Sequence, residues 1–358
     1  MAPAAYAGRR DFFPPRDRPT GVVPSRARHG LSLGAGSPAQ RTVVGAAGRL
    51  DMALGRLAKG PADPTHRRVG AQHWWRATRT PDGPALLELF DHHADVVTRA
   101  WGEGADWALD QVPRLLGEQD DPSGFAALAA DCDLLRRAHH DHPQWRIGAT
   151  DNLTEALAPA VIEQKVTGPE AFGGLRSLLA KYATPAPGPA ATPDGPAHGM
   201  VVPPTAEQWA HIPSFEFTRA GVDGRRAAAL VRAMRRVPSL ERALGRATDG
   251  AERSRLLQTQ PGIGPWTAAK VLQWAYGDPD AWSVGDYHAP ALISLALTGQ
   301  KGDDAFADEA LAPYAGHRYR VELLVTPLVA HAARRGARRT LPSHVPGVGV
   351  NRRRSWRR

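Results

Sequence analysis

The chain has a single cysteine, Cys132, in 358 residues. One thiol excludes an intrachain disulfide framework, a cysteine-rich zinc site and a four-cysteine iron–sulfur cluster. Long apolar runs are also missing. No stretch reaches the roughly 18 residues of a spanning helix, so no membrane partner is expected. The first residues lack an apolar segment of secretory length. They are Arg-rich, but their prolines, with Asp11 and Asp17, interrupt the continuous amphipathic helix of an organelle-targeting peptide. The other end is short of acid. Residues 317–358 hold 11 Arg and one acid, Glu322, a charge of +10 against +9 for the whole chain, which leaves −1 for the first 316 residues. A basic end on a neutral body suits a polyanion, of which nucleic acid is the commonest, although a solvating tail has the same composition.

The hydrophobic fraction of 42%, with 10 Trp and 8 Phe, is enough for a sizeable core, and the length suggests more than one domain. Residues 1–40 read as a flexible basic leader broken by Pro14, Pro15 and Pro24. Residues 41–145 read as a small mixed α/β domain. Strands are expected at 72–79 and 84–90 around a Pro81-Asp82-Gly83 turn, with an extended piece at 96–101 and a helix at 123–140. From Asn152 the periodicity becomes helical. Asn152 is placed to cap a helix, with Glu155 at the reciprocal position of a capping box. Further runs at 169–182, 205–211, 223–236, 237–246, 251–259, 265–276, 287–298, 303–312 and 317–335 predict an all-helical domain over 146–340. Its Pro/Gly-rich insertion at 184–199 reads as a loop. A basic tail, 341–358, has too little apolar material to fold alone. The fold class is α+β.

The most informative stretch is LLQTQPGIGPWTAAKVLQWAYGDPDAWSVGDYH, Leu256 to His288. Pro261, Gly262, Ile263 and Gly264 join two helices through a tight turn. Both glycines can take positive φ, Ile263 points into the helix pair, and Pro265 suits a first helical turn. The exposed backbone N–H groups and the start of the next helix form an anion nest for backbone phosphates, without base specificity.

This stretch resembles the helix-hairpin-helix motif of the DNA glycosylase superfamily, and most of all its 3-methyladenine DNA glycosylase II type. The strings HWWRATR, GPALLELF, RAWGEGADWAL and VPRLLG within 70–117 resemble that type's mixed N-terminal domain. LTEALAPAVIEQKVT at 153–167 resembles the helix opening its glycosylase domain, and LAPYAGHRYRVELLV at 311–325 a late helix behind its pocket. The resemblance implies a monofunctional enzyme that flips a damaged base, an alkylated purine first of all, from duplex DNA and hydrolyses its N-glycosidic bond.

The resemblance also assigns roles. Asp286, 22 residues after Gly264, is the catalytic carboxylate that stabilises a cation-like sugar and positions water; on its own it reads as an ordinary helix cap. Trp266 stands where bifunctional members carry a Schiff-base lysine, and its ring would line the base pocket with Lys270, Tyr314 and Tyr287. Gly262, Ile263, Gly264 and Thr267 contact the DNA backbone. Gln164 and Lys165 fill the gap left by the extruded nucleotide. His317, Arg318 and Arg320 lie near the pocket, facing either DNA or solvent. Lys270 and Lys165 depart from the family pattern. A cation at 270 repels a positively charged alkylpurine; as alternatives, it reads as a phosphate contact, a salt bridge or, if deprotonated, a nucleophile. No metal or other cofactor is expected, apart from a monovalent cation that hairpin carbonyls are able to hold. The partner is duplex DNA, the state a monomer, and the location the nucleoid in a prokaryotic cytoplasm. Two alternatives stay open: a glycosylase for uracil, mismatched or deaminated bases, and a non-catalytic helix-hairpin-helix DNA-binding protein.

Overall fold

The computed structural model describes residues 38–333. The basic tail and nearly all of the leader lie outside them. The first strand, β1 (Ala39–Val43), already begins within the span assigned to the leader. Helix α1 (Leu50–Gly55) leads to β2 (His66–Gly70), β3 (His73–Thr80), β4 (Gly83–His92) and β5 (Asp95–Trp101). These form one antiparallel sheet in the order β1-β5-β4-β3-β2, with Thr80 opposite Gly83 at the expected turn. The chain is α+β in class.

Alternation along β3 and β4 sends side chains to two faces. Trp74, Leu87 and Leu89 join the main core, whereas Trp75, Ala77 and Leu86 face the other way. That second face is covered by the Pro/Gly-rich insertion. Its first residues form β6 (Thr184–Pro185), which pairs with β7 (Val201–Val202) just past its end, and Ala186, Ala197, Met200 and Val202 pack on Trp75. The insertion is thus a lid on the sheet, and its two-stranded ribbon corrects the all-helical reading of 146–340.

The main core runs without a break from the sheet into the helices. It takes in α2 (Ala105–Leu115), α5 (Leu153–Ile162), α6 (Gly168–Tyr182), α7 (Ala206–His211), α8 (Ser214–Arg219) and α9 (Gly224–Leu244). Helix α8 was missed by periodicity, being short with Phe215 exposed. Helix α9 was expected as two but continues through Pro238, held by a buried stripe of Met234, Val237, Leu240 and Leu244. Asn152 caps α5 by accepting from Glu155 N. Glu155 does not complete the capping box. Its carboxylate turns to the sheet and accepts from Thr78 Oγ1, Arg79 N and Arg76 Nη2, because burying a carboxylate beside β3 requires those donors.

A second core joins α3 (Phe125–Leu128) and α4 (Asp133–Asp141) to α12 (Ala289–Thr298), α13 (Asp304–Leu311) and α14 (Arg318–Ala333). Residues 125–141, grouped by sequence with the sheet, therefore pack with the last helices instead. A buried ion pair between Asp120 and Arg320 reinforces that attachment. The main core continues through α10 (Gly250–Gln258), α11 (Pro265–Val271) and a π-helical turn at Leu272–Tyr276, and the loop from there to α12 crosses to the second core, where Trp282 is buried. No described helix is long and apolar enough to cross a membrane.

Candidate functional site

The turn between α10 and α11 requires glycine at one position. Gly262 has φ +91°, and a Cβ there would lie 2.6 Å from the Cβ of Ala229 on α9. Gly264 differs from expectation: its φ is −96°, and a Cβ would meet nothing within 4 Å. It lies open because the chain has already turned at 262. Ile263 is buried in the main core as expected. Its N–H donates to the Gln260 carbonyl at 3.0 Å, so it is taken up by the turn itself. The first-turn N–H groups of α11, on Trp266 and Thr267, have no carbonyl four residues back within the helix.

Thr267 is buried, and its Oγ1 accepts from Gln164 Nε2 at 2.9 Å. The same amide nitrogen donates to the Gly262 carbonyl at 2.9 Å. Gln164 therefore fastens the end of α5 to the hairpin, and in this structure its amide is not a free wedge. Lys165 is exposed, at φ +56°.

The loop after the π turn brings Asp286 against Trp266. Asp286 Oδ1 accepts from the N–H groups of His288 and Ala289 at 2.8 and 3.0 Å, which caps α12, and Oδ2 accepts from Trp266 Nε1 at 3.0 Å. Burial pushes this carboxyl toward its neutral form. The two backbone donors, the charge of Lys270 and the indole N–H outweigh that and hold it below the usual carboxylate range. It is an ionised, fixed carboxylate with a lone pair left on Oδ2.

Lys270 lies one turn along α11, its Nζ 5.7 Å from the centre of the Trp266 ring. It donates to Ser283 Oγ at 2.7 Å and stands 3.9 Å from Glu322 Oε1. Ser283 donates twice to Glu322, from Oγ at 2.6 Å and from its N–H at 2.7 Å, and accepts from Gln273 Nε2 at 3.0 Å. Burial pushes the Glu322 carboxyl up, opposed by Lys270 and by the Ser283 bonds. Sequence reasoning missed Ser283, Gln273 and Glu322. The one available signal was that Glu322 is the sole acid in a basic stretch and stands within the apolar run Val321–Val325.

The two tyrosines expected in the pocket are placed otherwise. Tyr287 is 91% exposed, with only the edge of His288 against its ring, because the cap formed by Asp286 turns the next side chain outward. Tyr314 is buried in the second core near Cys132 and Asp131, and burial pushes its hydroxyl up. His317 packs on Phe125, Arg318 pairs with Asp280, and Arg320 is buried with Asp120, so all three hold the fold together. Among the described residues no cluster of three His, Cys, Asp or Glu is placed to hold a metal. A cleft of about 360 Å³, lined by Arg114, Asp120, Arg253, Tyr276 and Asp278, is bordered by none of the residues around Asp286.

An α+β chain with a glycine-turned helical hairpin and an aspartate capping the helix beyond it has the fold of the helix-hairpin-helix DNA glycosylases. In sequence the chain is similar to a curated DNA repair protein. It is 28% identical over 246 residues to a "Probable bifunctional transcriptional activator/DNA repair enzyme AlkA" of Mycobacterium tuberculosis. The match covers 67% of this chain but 44% of that protein, so the chain spans less than half the length of the curated relative. A 3-methyladenine DNA-glycosylase from Archaeoglobus fulgidus superposes with a TM-score of 0.66 at 17% identity, covering 83% of this chain and 99% of the other. An 8-oxoguanine glycosylase/lyase from Clostridium acetobutylicum, in complex with double-stranded DNA, gives 0.59 at 13% identity, covering 77% and 90%. No family model matches the chain.

Proposed function

We propose that this chain is a DNA repair glycosylase that takes a damaged purine out of duplex DNA and hydrolyses its N-glycosidic bond, leaving an abasic site without cutting the strand. The observation that carries the reading is the Asp286 carboxylate, ionised and held by three N–H donors beside the face of α11 that carries Trp266 and Lys270. As the C1′–N bond lengthens, positive charge grows on the sugar. A fixed carboxylate stabilises that charge and orients water toward C1′. The hairpin anchors the duplex through backbone N–H groups near Gly264, where no side chain blocks the approach of a phosphate. Lys165, exposed at the end of α5, is the side chain of that region free to enter the gap left by the flipped nucleotide. The sheet with its helices forms the N-terminal part of the enzyme, and the helices around the hairpin its catalytic part.

Trp266 occupies the position of a Schiff-base lysine and has no amine. Lys270 is the nearest candidate, and its amine is engaged by Ser283. The experiment is incubation of the purified chain with a duplex bearing one damaged purine. Developed with hot alkali, the product is expected to show a break at the lesion; undeveloped, it is expected to be intact, and borohydride is expected to trap no adduct. An adduct lost in Lys270→Ala would overturn the monofunctional assignment, and an unbroken alkali-treated strand across a panel of lesions would overturn the glycosylase reading. The names of the solved neighbours include both 3-methyladenine and 8-oxoguanine. An N3-methylated adenine carries a positive charge while attached to the sugar, and 8-oxoguanine does not.

A further inference from the structure

We infer that Lys270 makes this site selective for neutral damaged purines, whose base departs as an anion, over purines made cationic by N-alkylation; the inference rests on the glycosylase reading above. The lysine is on the face of α11 that carries Trp266, 5.7 Å from the centre of its ring, and its charge acts on Asp286. It is also built in. Its side chain is 16% exposed, and Ser283 Oγ fixes the ammonium at 2.7 Å. Ser283 is fixed in turn by two bonds to Glu322, with Gln273 donating to its hydroxyl. The ammonium, 3.9 Å from Glu322 Oε1, has the bond to Ser283 and two further N–H groups. A base stacked on the face of Trp266 toward Lys270 would lie near that charge.

The two classes of damaged purine make opposite demands. A cationic N3- or N7-alkylated base leaves as a neutral molecule and needs no donor, and a nearby ammonium repels it on entry. A neutral base, such as an oxidised or deaminated purine, leaves with the electron pair of the C1′–N9 bond and becomes an anion. Its ring nitrogens and carbonyl oxygen are acceptors, and an ammonium hydrogen-bonded to one of them stabilises the charge as it forms. The step balances without consuming the lysine. The C1′–N9 bond breaks, the water oxygen bonds to C1′, and a proton released from that water is matched by one taken up by the base anion. Lys270 stays protonated throughout. It acts on the leaving base while Asp286 acts on the sugar.

The test is single-turnover excision from three duplexes carrying 7-methylguanine, 8-oxoguanine or hypoxanthine, with wild type, Lys270→Met and Lys270→Arg. Wild type is expected to excise at least one neutral base about tenfold or more faster than 7-methylguanine. Lys270→Met is expected to lower the rate on neutral bases relative to that on 7-methylguanine by about tenfold or more, and Lys270→Arg to keep the wild-type order. Circular dichroism melts separate a folding defect from a change of preference, and Lys270→Gln, which keeps a neutral donor, serves if Lys270→Met melts early. A wild-type preference for 7-methylguanine, or an equal loss on all three duplexes with Lys270→Met or Lys270→Gln folded, overturns the inference and leaves the glycosylase reading standing. No excision of any of them by wild type removes both.

Discussion

Replacing Asp286 with Asn removes a charge with almost no change of shape. The amide oxygen can still accept from His288 N and Ala289 N, and Asn is as good a helix cap as Asp, so α12 is expected to keep its start. At the other branch the amide NH2 would face Trp266 Nε1, a donor that now meets a donor. That conflict costs about 1–2 kcal/mol and falls on the site, not on either core. The catalytic loss is larger. A unit charge about 4 Å from a cationic sugar is worth about 4 kcal/mol at an effective dielectric constant near 20, or roughly a thousandfold in rate. The expected result is a single-turnover excision rate at least two orders of magnitude below wild type, with the dissociation constant for undamaged duplex nearly unchanged. The double variant Asp286→Asn/Trp266→Phe removes the clash of donors and is expected to recover stability but not rate. Normal binding with a wild-type excision rate in Asp286→Asn would refute the role of the carboxylate. Recovery of the rate in the double variant would show that geometry, and not charge, had been lost.

Gly262→Ala forces a non-glycine residue to φ +91° and sets its Cβ against Ala229; a loss of about 2–4 kcal/mol is expected in urea melts, with weaker binding to damaged and undamaged duplexes alike. Gly264→Ala has room and an ordinary φ, so its melt is expected to match wild type while a bulkier residue there weakens binding to both duplexes; unchanged affinity would remove Gly264 from the phosphate contact. Arg320→Met leaves Asp120 buried without its partner and is expected to cost about 3–5 kcal/mol without altering the salt dependence of duplex binding; a cost below about 1 kcal/mol would show the pair to be solvated. Asp91 accepts from Gly48 N, and burial pushes its carboxyl up to about 6. Its folded value lies above the unfolded one, so its contribution is present below the ordinary carboxylate range and is lost as pH rises through about 6. Asp91→Asn is therefore expected to melt higher than wild type at pH 8 and to lose that advantage by pH 4; a pH-independent difference would refute the shift.

What could be read from sequence was what local rules decide. Strand alternation and a Pro-Asp-Gly turn located β3 and β4 to within a few residues. Pro261 to Pro265 announced a hairpin because few other residues turn a chain so sharply between helices, and the spacing to Asp286 followed from the resemblance. What stayed hidden was the choice of partner at long range. Gln164 and Thr267 are 103 residues apart, and Ser283 and Glu322 are 39 apart. No periodicity states that an amide will reach a turn carbonyl or that a serine will find a buried carboxylate. Glu155 shows the same limit within one motif: its spacing fits a capping box, yet three donors on the sheet outbid one backbone N–H. Tyr287 and Tyr314 were misplaced because aromatic character does not say which way a side chain faces.

The position of Asp286 follows from how its loop is held between the two cores. The π turn ends at Gly277, with φ +64°, where a Cβ would lie 2.9 Å from the Gly148 carbonyl. Just before it, the carbonyls of Trp274 and Ala275 accept from Thr150 N and Asp151 N, and Arg56 Nη1 bonds the Gln273 carbonyl at 2.7 Å. These contacts bind the start of the loop to the segment before α5 and to Arg56 after α1. Its middle is bound to the second core: Pro279 accepts from Tyr319 N, Asp280 pairs with Arg318, and Trp282 is buried among α12 to α14. Ser283 then fastens to Glu322, and Asp286 caps α12. Each anchor is individually modest, but together they leave the carboxylate little freedom of its own. A charge that stabilises a transition state is most effective when it need not reorganise as the reaction proceeds. If Asp286 is the catalytic carboxylate proposed above, a loosened anchor is expected to lower the excision rate even with Asp286 intact, and the π turn contributes by setting where the loop departs from α11.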